Sequence, residues 1–261
     1  MIKLGVSYAV FSGLDLLKPS IQNIKPFASH ITVVWSPISS TGEKIADYAL
    51  DLLNDLYDSK LIDELIRFDP KITNDPVQMQ DNCRLKREIG RLSCVSAHCT
   101  HHLIRDCDEF HDALQMKQIL DTYPTVDCTL SRIREYIRNP FTRIKKISDL
   151  YVPFIQLIDK PLKPRYRPFN VMCDGGRTVG NIKNWKLLDE KELVLHHYTF
   201  VRYNTNEMKR KYQGHAHCHR IGTLDKFLQW TDRFKEDELE SVSDYFGISN
   251  YWKNEFCKLV S

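Results

Sequence analysis

Ile2-Lys3-Leu4-Gly5-Val6-Ser7-Tyr8-Ala9-Val10 is an apolar run too short for a core helix, and it reads as a buried strand. Leu14, Leu17, Ile21 and Ile24 then recur at helical spacing as far as the stop at Pro26. His30-Ile31-Thr32-Val33-Val34-Trp35 is a second run rich in β-branched residues. Strand, helix and strand in this order make a β-α-β unit. The loop Ser36–Gly42 leads into Ile45, Ala49, Leu52, Leu53 and Leu56, which fall on one helical face. Such alternation predicts an α/β protein with a parallel sheet.

Further along, residues 60–68 read as a short helix and strand, and Met79 to Ser96 as a helix carrying Lys86, Arg87 and Arg91. A strand at His102–Arg105 and a helix near Asp112–Leu120 follow, and Val126–Arg134 alternates with period two like a strand with one wet face. Pro153, Pro161, Pro164 and Pro168 make 151–173 an expected stretch of irregular, extended chain. The last third is expected to hold a strand ending at Leu195, a basic helix near Asn206–Lys211, and amphipathic helices near Leu224–Phe234 and Tyr251–Leu259. We divide the chain into a catalytic domain, 1–204, and a helical extension or lid, 205–261.

Composition sets outer limits. The chain has 261 residues, 42% of them hydrophobic, enough for one large domain or one domain with a modest appendage. The balance of 37 basic and 34 acidic residues argues against a generic polyanion binder. No secretory leader and no run of about 18 apolar residues is visible, so a soluble, cytoplasmic protein is expected. The eight cysteines lack the dense spacing of a disulfide scaffold and read as reduced thiols.

Thr100-His101-His102-Leu103-Ile104-Arg105-Asp106-Cys107-Asp108-Glu109-Phe110-His111 puts two carboxylates, two residues apart, at the end of a short strand. Acids at a strand end lie where α/β folds build their ligand crevices. A hard cation such as Mg²⁺ or Mn²⁺ takes a few carboxylate oxygens, with phosphate oxygens and water completing its shell. Asp-x-Asp is short, and a solvated acidic turn is the plain alternative.

Leu193–Val201 carries a second candidate, His196-His197, followed by Arg202, Lys209, Arg210 and Lys211. Either imidazole could complete a metal shell begun by Asp108, and the cations could hold a diphosphate. A packed core histidine beside a wet one is the alternative. For a catalytic base the chain offers Asp174, in Cys173-Asp174-Gly175-Gly176-Arg177-Thr178, and Glu109. Asp-Gly-Gly also suits a tight hairpin, and Glu109 could cap the following helix. Cys94, His98, Cys99, His101 and His102, with His215, His217, Cys218 and His219, are zinc-capable but lack paired ligand spacing.

The order of these parts resembles the GT-A glycosyltransferases, particularly the family-2-like group. It runs from Val6–Gly13 with Leu16-Leu17-Lys18, through Lys86–Arg91, to the strand entering Asp106-Cys107-Asp108-Glu109-Phe110. A histidine before Val201-Arg202 and a Lys/Arg helix complete the series, which spans residues 1–212. The resemblance implies a GT-A-like, Rossmann-like mixed sheet flanked by helices, with a helical C-terminal portion. It implies a nucleotide-sugar donor, with a UDP-sugar expected first, and a bound Mn²⁺ or Mg²⁺. Asp106 would contact ribose or sugar, Asp108 would bind the metal, and His196 or His197 would be the further ligand. Ser7, Tyr8 and Phe11 would border the base, Lys86 and Arg87 the ribose or diphosphate, and Arg202 would belong to the same donor site. The chain lacks a clear Glu-Asp base pair and a Gln-x-x-Arg-Trp element, so the stereochemistry stays open.

Arg132, Arg134, Arg138, Arg143, Lys145 and Lys146, then Lys160, Lys163, Arg165 and Arg167 with Tyr166 and Phe169, interleave cations with aromatics. Such a region can neutralise phosphates and stack on bases. A DNA acceptor is therefore expected, as in phage-type transferases that decorate hydroxymethylated pyrimidines, which the chain resembles in size. A cell-surface saccharide or lipid-linked sugar is the second acceptor class. A non-catalytic nucleic-acid-binding module and a nucleotidyltransferase are the competing functions.

Overall fold

Leu4–Val10 (β1) is buried along nearly its whole length because strands bind it on both sides. The structure, a computed structural model, describes residues 2–163, 169–214, 225–226 and 229–260. Helix α1 (Leu14–Ile24) carries the chain from β1 to β2 (Ala28–Trp35), which pairs parallel with β1 from Gly5↔His30 to Val10↔Trp35. Helix α2 (Ala49–Asp58) leads to β3 (Glu64–Arg67), parallel to β2. The long α3 (Pro76–Ser96) starts at Asp75, whose side chain accepts from Val77 N at 3.0 Å. It returns the chain to β4 (His101–Arg105), parallel to β1 on the other side. The expected β-α-β alternation is thus present, in the order β4-β1-β2-β3.

Helix α3 packs closely on β1 because two glycines remove the side chains between them. A Cβ on Gly90 would lie 2.5 Å from Ser7 Cβ, and one on Gly5 would lie 2.5 Å from Cys94 Cβ. This contact fixes where α3 presents Lys86 and Arg87. At Gly13, φ is 77°, a left-handed turn that suits glycine. It brings the start of α1 against Cys107, whose Cβ would be 3.0 Å from a side chain there.

The second half of the sheet is mixed. After β5 (Glu109–His111) and α4 (Ala113–Thr122) come β6 (Cys128–Ile137), β7 (Thr142–Ile144) and β8 (Tyr151–Leu157). Strand β8 lies between β4 and β6, antiparallel to both. Short β9 (Trp185–Leu187) and β10 (Val194–Phe200) run parallel to β6, and β10 also pairs antiparallel with β5. The result is an α/β mixed sheet of eleven strands among the described residues.

The expectation of irregular chain from 151 is corrected by β8, which contains Pro153. The register of β6 shifts between Cys128 and Leu130, opposite Pro153, and β4 pairs only with Gln156 and Leu157. Proline therefore sits at a bulge where no neighbour needs its missing N–H. Helix α5 (Thr205–Gly214) is the expected basic helix. Beyond it β11 (Leu239–Ser241) joins β7 at the sheet edge, and helical turns run from Ile248 to Val260. Trp252 Nε1 donates to Asp15 O at 2.8 Å and ties this end to α1. Of the expected Leu224–Phe234 helix, residues 224 and 227–228 lie outside the described residues, and Gln229–Arg233 is a short 3₁₀ helix. No helix among the described residues is long and apolar enough to cross a membrane.

Candidate functional site

The loops leaving β1, β2, β3 and β4 line one cleft of about 1210 Å³, with Phe11, Ser12 and Gly13, then Ser36 and Ile38, then Phe68 and Pro70, then Asp106 to Asp108. That is the carboxyl edge of the parallel strands, where open α/β sheets bind ligands. Lys86 and Arg87 of α3 form one wall, residues Cys173 to Thr178 another, and His197, Thr199 and Lys211 a third.

Arg177 organises the acids. Its Nη2 donates to Asp106 Oδ2 at 2.7 Å, its Nη1 to Glu109 Oε2 at 2.7 Å, and its Nε lies 3.0 Å from Asp174 Oδ2. Arg87 adds a bond to Asp106 Oδ1 at 3.4 Å and one to Gly176 O at 3.1 Å. Burial works against the charge on Asp106, yet Arg177 and then Arg87 outweigh it and hold its carboxyl below the usual carboxylate range. Glu109 is buried, and Oε2 also accepts from Asp106 N at 3.0 Å. It is a counter-ion and loop brace, with neither oxygen free to act as a base. Asp174 closes an Asx-type turn through Gly176 N at 2.9 Å, so the turn reading and the cleft reading of Asp-Gly-Gly both hold.

Asp108 is the most enclosed of the four cleft acids, 1% exposed at its side chain. Its Oδ2 accepts from Arg202 Nη2 at 2.5 Å, Lys211 Nζ at 2.8 Å and Thr199 Oγ1 at 3.2 Å. Burial opposes its charge, but Lys211 and Arg202 together hold its carboxyl well below the usual range. Arg202 is itself sandwiched, with Nε 4.0 Å from buried Asp15 and Nη1 donating to Tyr198 O at 2.7 Å.

His197 Nε2 lies 3.7 Å from Asp108 Oδ1 and 2.9 Å from Thr199 Oγ1. The single Thr199 hydroxyl proton goes to the ionised Asp108, so Thr199 must accept from His197 Nε2–H, which leaves Nδ1 as the basic nitrogen. The structure does not bring His196 to this place. Successive side chains of a strand point to opposite faces, and His196 Nδ1 bonds to the Tyr136 hydroxyl at 2.9 Å among Tyr245 and Phe246. Its expected role as a metal ligand is corrected accordingly.

Two of the residues expected at the base are corrected too. Ser7 is buried, with its hydroxyl 2.9 Å from His102 Nε2, and Tyr8 is buried with its hydroxyl 3.2 Å from Ser20 Oγ. Both serve the core because β1 is covered on its two faces. Phe11, Lys86 and Arg87 do line the cleft. Lys86 donates to Val10 O at 2.9 Å, and burial pulls its ammonium down to about 8.

The divalent ion that the family resemblance implies does not fit the donor set. Of the eight carboxylate oxygens on Asp106, Asp108, Glu109 and Asp174, seven face a cation or an N–H within 3.4 Å. The eighth, Asp108 Oδ1, is buried without a hydrogen-bond partner and faces an imidazole nitrogen that carries its proton. A metal-binding nitrogen must be deprotonated. No group of three or more metal-ligating side chains occurs among the described residues. His215, His217, Cys218 and His219 lie outside them, and the seven described cysteines are free thiols.

Most of the described basic run is paired with acids, which offsets the charge that suggested DNA. Arg132 pairs with Asp149 and Glu190, Arg134 with Glu190, Arg138 with Glu236, Arg143 with Glu240, Lys146 with Asp149 and Lys160 with Asp127. Arg165, Tyr166 and Arg167 lie outside the described residues.

Sequence reasoning missed Arg177, Thr199 and Asp15. Arg177 directly follows the Asp-Gly-Gly turn, but nothing in the chain links position 177 to positions 106–109. Thr199 follows His197 at the spacing that places two strand residues on one face, a signal that was available.

No protein-family model and no curated protein matches the chain. Among solved structures, the chain is similar to S. aureus TarS 1-349 at 12% identity and a TM-score of 0.42, over 91% of this chain and 77% of that one. It is similar to a longer S. aureus TarS structure at 10% identity and a TM-score of 0.42, over 90% of this chain but only 44% of that one. TarS 1-349 in complex with UDP aligns over 91% of this chain and 77% of that one, at 10% identity and a TM-score of 0.37.

Proposed function

We propose that this protein is a glycosyltransferase that moves a sugar from a nucleotide-sugar donor to a hydroxyl acceptor. The observation that carries the reading is the single cleft lined by the loops after all four parallel strands, with Asp106 and Asp108 at the end of β4 among Lys86, Arg87, Arg177 and Lys211.

Cleavage of the sugar–phosphate bond leaves charge on the departing diphosphate, and fixed cations stabilise that charge as it develops. Lys86 and Lys211 are the cations suited to this, because each ammonium has three N–H donors and spends one on the protein, at Val10 O and Asp108 Oδ2. Arg177 instead holds Asp106, Glu109 and Asp174 in place. Asp108 Oδ1, buried and without a bond, is placed to accept a sugar hydroxyl. His197, kept in one tautomer by Thr199 and Asp108, is our candidate to take the acceptor's proton at Nδ1. With most of the described 132–160 cations bonded to acids, a saccharide hydroxyl is the acceptor class we place first.

The test is incubation with UDP-, GDP- and CDP-sugars, following thermal stability and release of nucleoside diphosphate. A donor at a hundred times its Kd should add about 2.7 kcal/mol of stability. Asp108→Asn should abolish turnover in the folded protein and lower its stability, because buried Arg202 loses its carboxylate. Full turnover in that variant, or release of pyrophosphate from a nucleoside triphosphate instead, would reject the assignment.

A further inference from the structure

Asp108 and Lys211 stand where a strand-end acid would otherwise meet a metal ion. Lys211 Nζ is 2.8 Å from Asp108 Oδ2, and the pair is nearly enclosed, 13% and 1% exposed at the side chains. The lysine comes from α5, more than a hundred residues after the aspartate. Its ammonium lines the cleft and keeps two further N–H donors. On the other wall, Lys86 reaches the cleft from α3 with two donors beyond its bond to Val10 O.

A diphosphate ester brings two negative charges into this space. Two ammonium groups with four N–H donors between them match it in charge and in bonding capacity. A divalent ion would have to displace Lys211 or Arg202 from Asp108 Oδ2, which breaks a charge-assisted bond to a buried carboxylate, or take the proton of His197 Nε2, which breaks its bond to Thr199.

We propose that Lys211 replaces the divalent ion at this site, so that a nucleoside diphosphate binds between Lys211 and Lys86 without a metal. The inference rests on the nucleotide-sugar reading above and narrows it to a metal-independent site. Asp108 then serves to position Lys211, with Arg202 and buried Asp15 backing it in a line of alternating charge.

The experiment measures binding of UDP, GDP, CDP and ADP to the full chain by calorimetry and thermal shift, once in excess EDTA and once in excess Mn²⁺. One of the four should bind with the same Kd, within about twofold, under both conditions. Lys211→Gln should weaken that binding roughly tenfold or more, the usual cost of a lost charge-assisted hydrogen bond, and Mn²⁺ should not restore it. Binding that needs Mn²⁺, or a Lys211→Gln protein that gains Mn²⁺-dependent affinity, overturns the proposal while sparing the nucleotide-sugar reading. Failure of all four nucleotides under both conditions overturns both. The EDTA comparison uses the unaltered chain, so it decides the matter even where the variant folds poorly.

Discussion

Arg177 Nη2 lies 2.7 Å from Asp106 Oδ2, and the same guanidinium holds Glu109 and Asp174, so one cation fixes acids from two separate loops. Arg177 is 5% exposed, and burial disfavours its charge, but Asp106, Glu109 and Asp174 together keep it firmly protonated. Arg177→Ala would leave Glu109 buried and uncompensated. Loss of one partner of a buried pair costs roughly 3–5 kcal/mol, and that is the stability loss expected from urea unfolding. Arg177→Lys should recover only part of it, because a point charge cannot serve three carboxylates at once. A variant with unchanged midpoint would show that the three acids are held by other means.

Gly90 and Ser7 make the second prediction. The closest clash in Gly90→Ala is between two Cβ atoms at 2.5 Å, and the Ser7 hydroxyl, at 2.8 Å, is too near as well. Gly90→Ala should cost about 1–3 kcal/mol, as overpacking does. Ser7→Ala should relieve only the smaller part of it, since the Cβ contact stays, whereas Ser7→Gly should relieve much of the cost, a coupling readable in a double-mutant cycle. Equal rescue by both would place the strain on the hydroxyl.

The parallel half of the fold was legible because each of its strands is an apolar run followed by a helix with a clear apolar stripe, as in Val6–Val10 and Leu14–Ile24. Strand β8 was not, because Pro153 argues locally against a strand and only the bulge in β6 makes room for it. At the site, Asp106 and Asp108 were legible from their place after β4. The choice between His196 and His197 was not, since it depends on the phase of β10 against β5 and β6. Ser7 and Tyr8 were misread because a run buried on both faces carries no sign of which side chains reach the strand's end. Arg134, Arg138 and Arg143 looked available because their partners, Glu190, Glu236 and Glu240, lie some 50 to 100 residues away in the chain.

Acid should destabilise the fold between about pH 6.5 and 4. His102 is pulled down to about 3 by burial and then by Arg91, and His196 to about 4 by burial, Arg143 and Arg134. Unfolded histidine titrates near about 6.5, so through this window the unfolded chain binds more protons and stability falls as pH drops. Asp15 acts the other way. Burial, against Arg202, pushes its carboxyl up to about 6, so over much of the window the folded chain holds its proton and gains on acidification. Burial also holds His111 well below, and His101 below, the usual histidine range. With four histidines against one aspartate, we expect a net loss of roughly 4 kcal/mol or more from pH 7 to 4, because each tenfold change in proton affinity is worth about 1.4 kcal/mol. Asp15→Asn should steepen that loss by removing the opposing group, and an equally steep or shallower profile would count against the assignment.

Lys86 links the site to alkaline pH. Its ammonium is charged at neutrality and, brought down to about 8 by burial, loses its proton where an ordinary lysine keeps it. A diphosphate is already fully ionised there, so its affinity should fall as pH rises through about 8, with a limiting slope near one decade per pH unit for one proton. Lys86→Arg keeps the charge throughout this range and should flatten the profile, even if its bulkier head lowers affinity at every pH. Calorimetric titration with UDP from pH 6.5 to 9.5 reads both curves. A flat profile in the unaltered protein would remove Lys86 from the diphosphate site and leave Lys211 as the ammonium group that faces the leaving group.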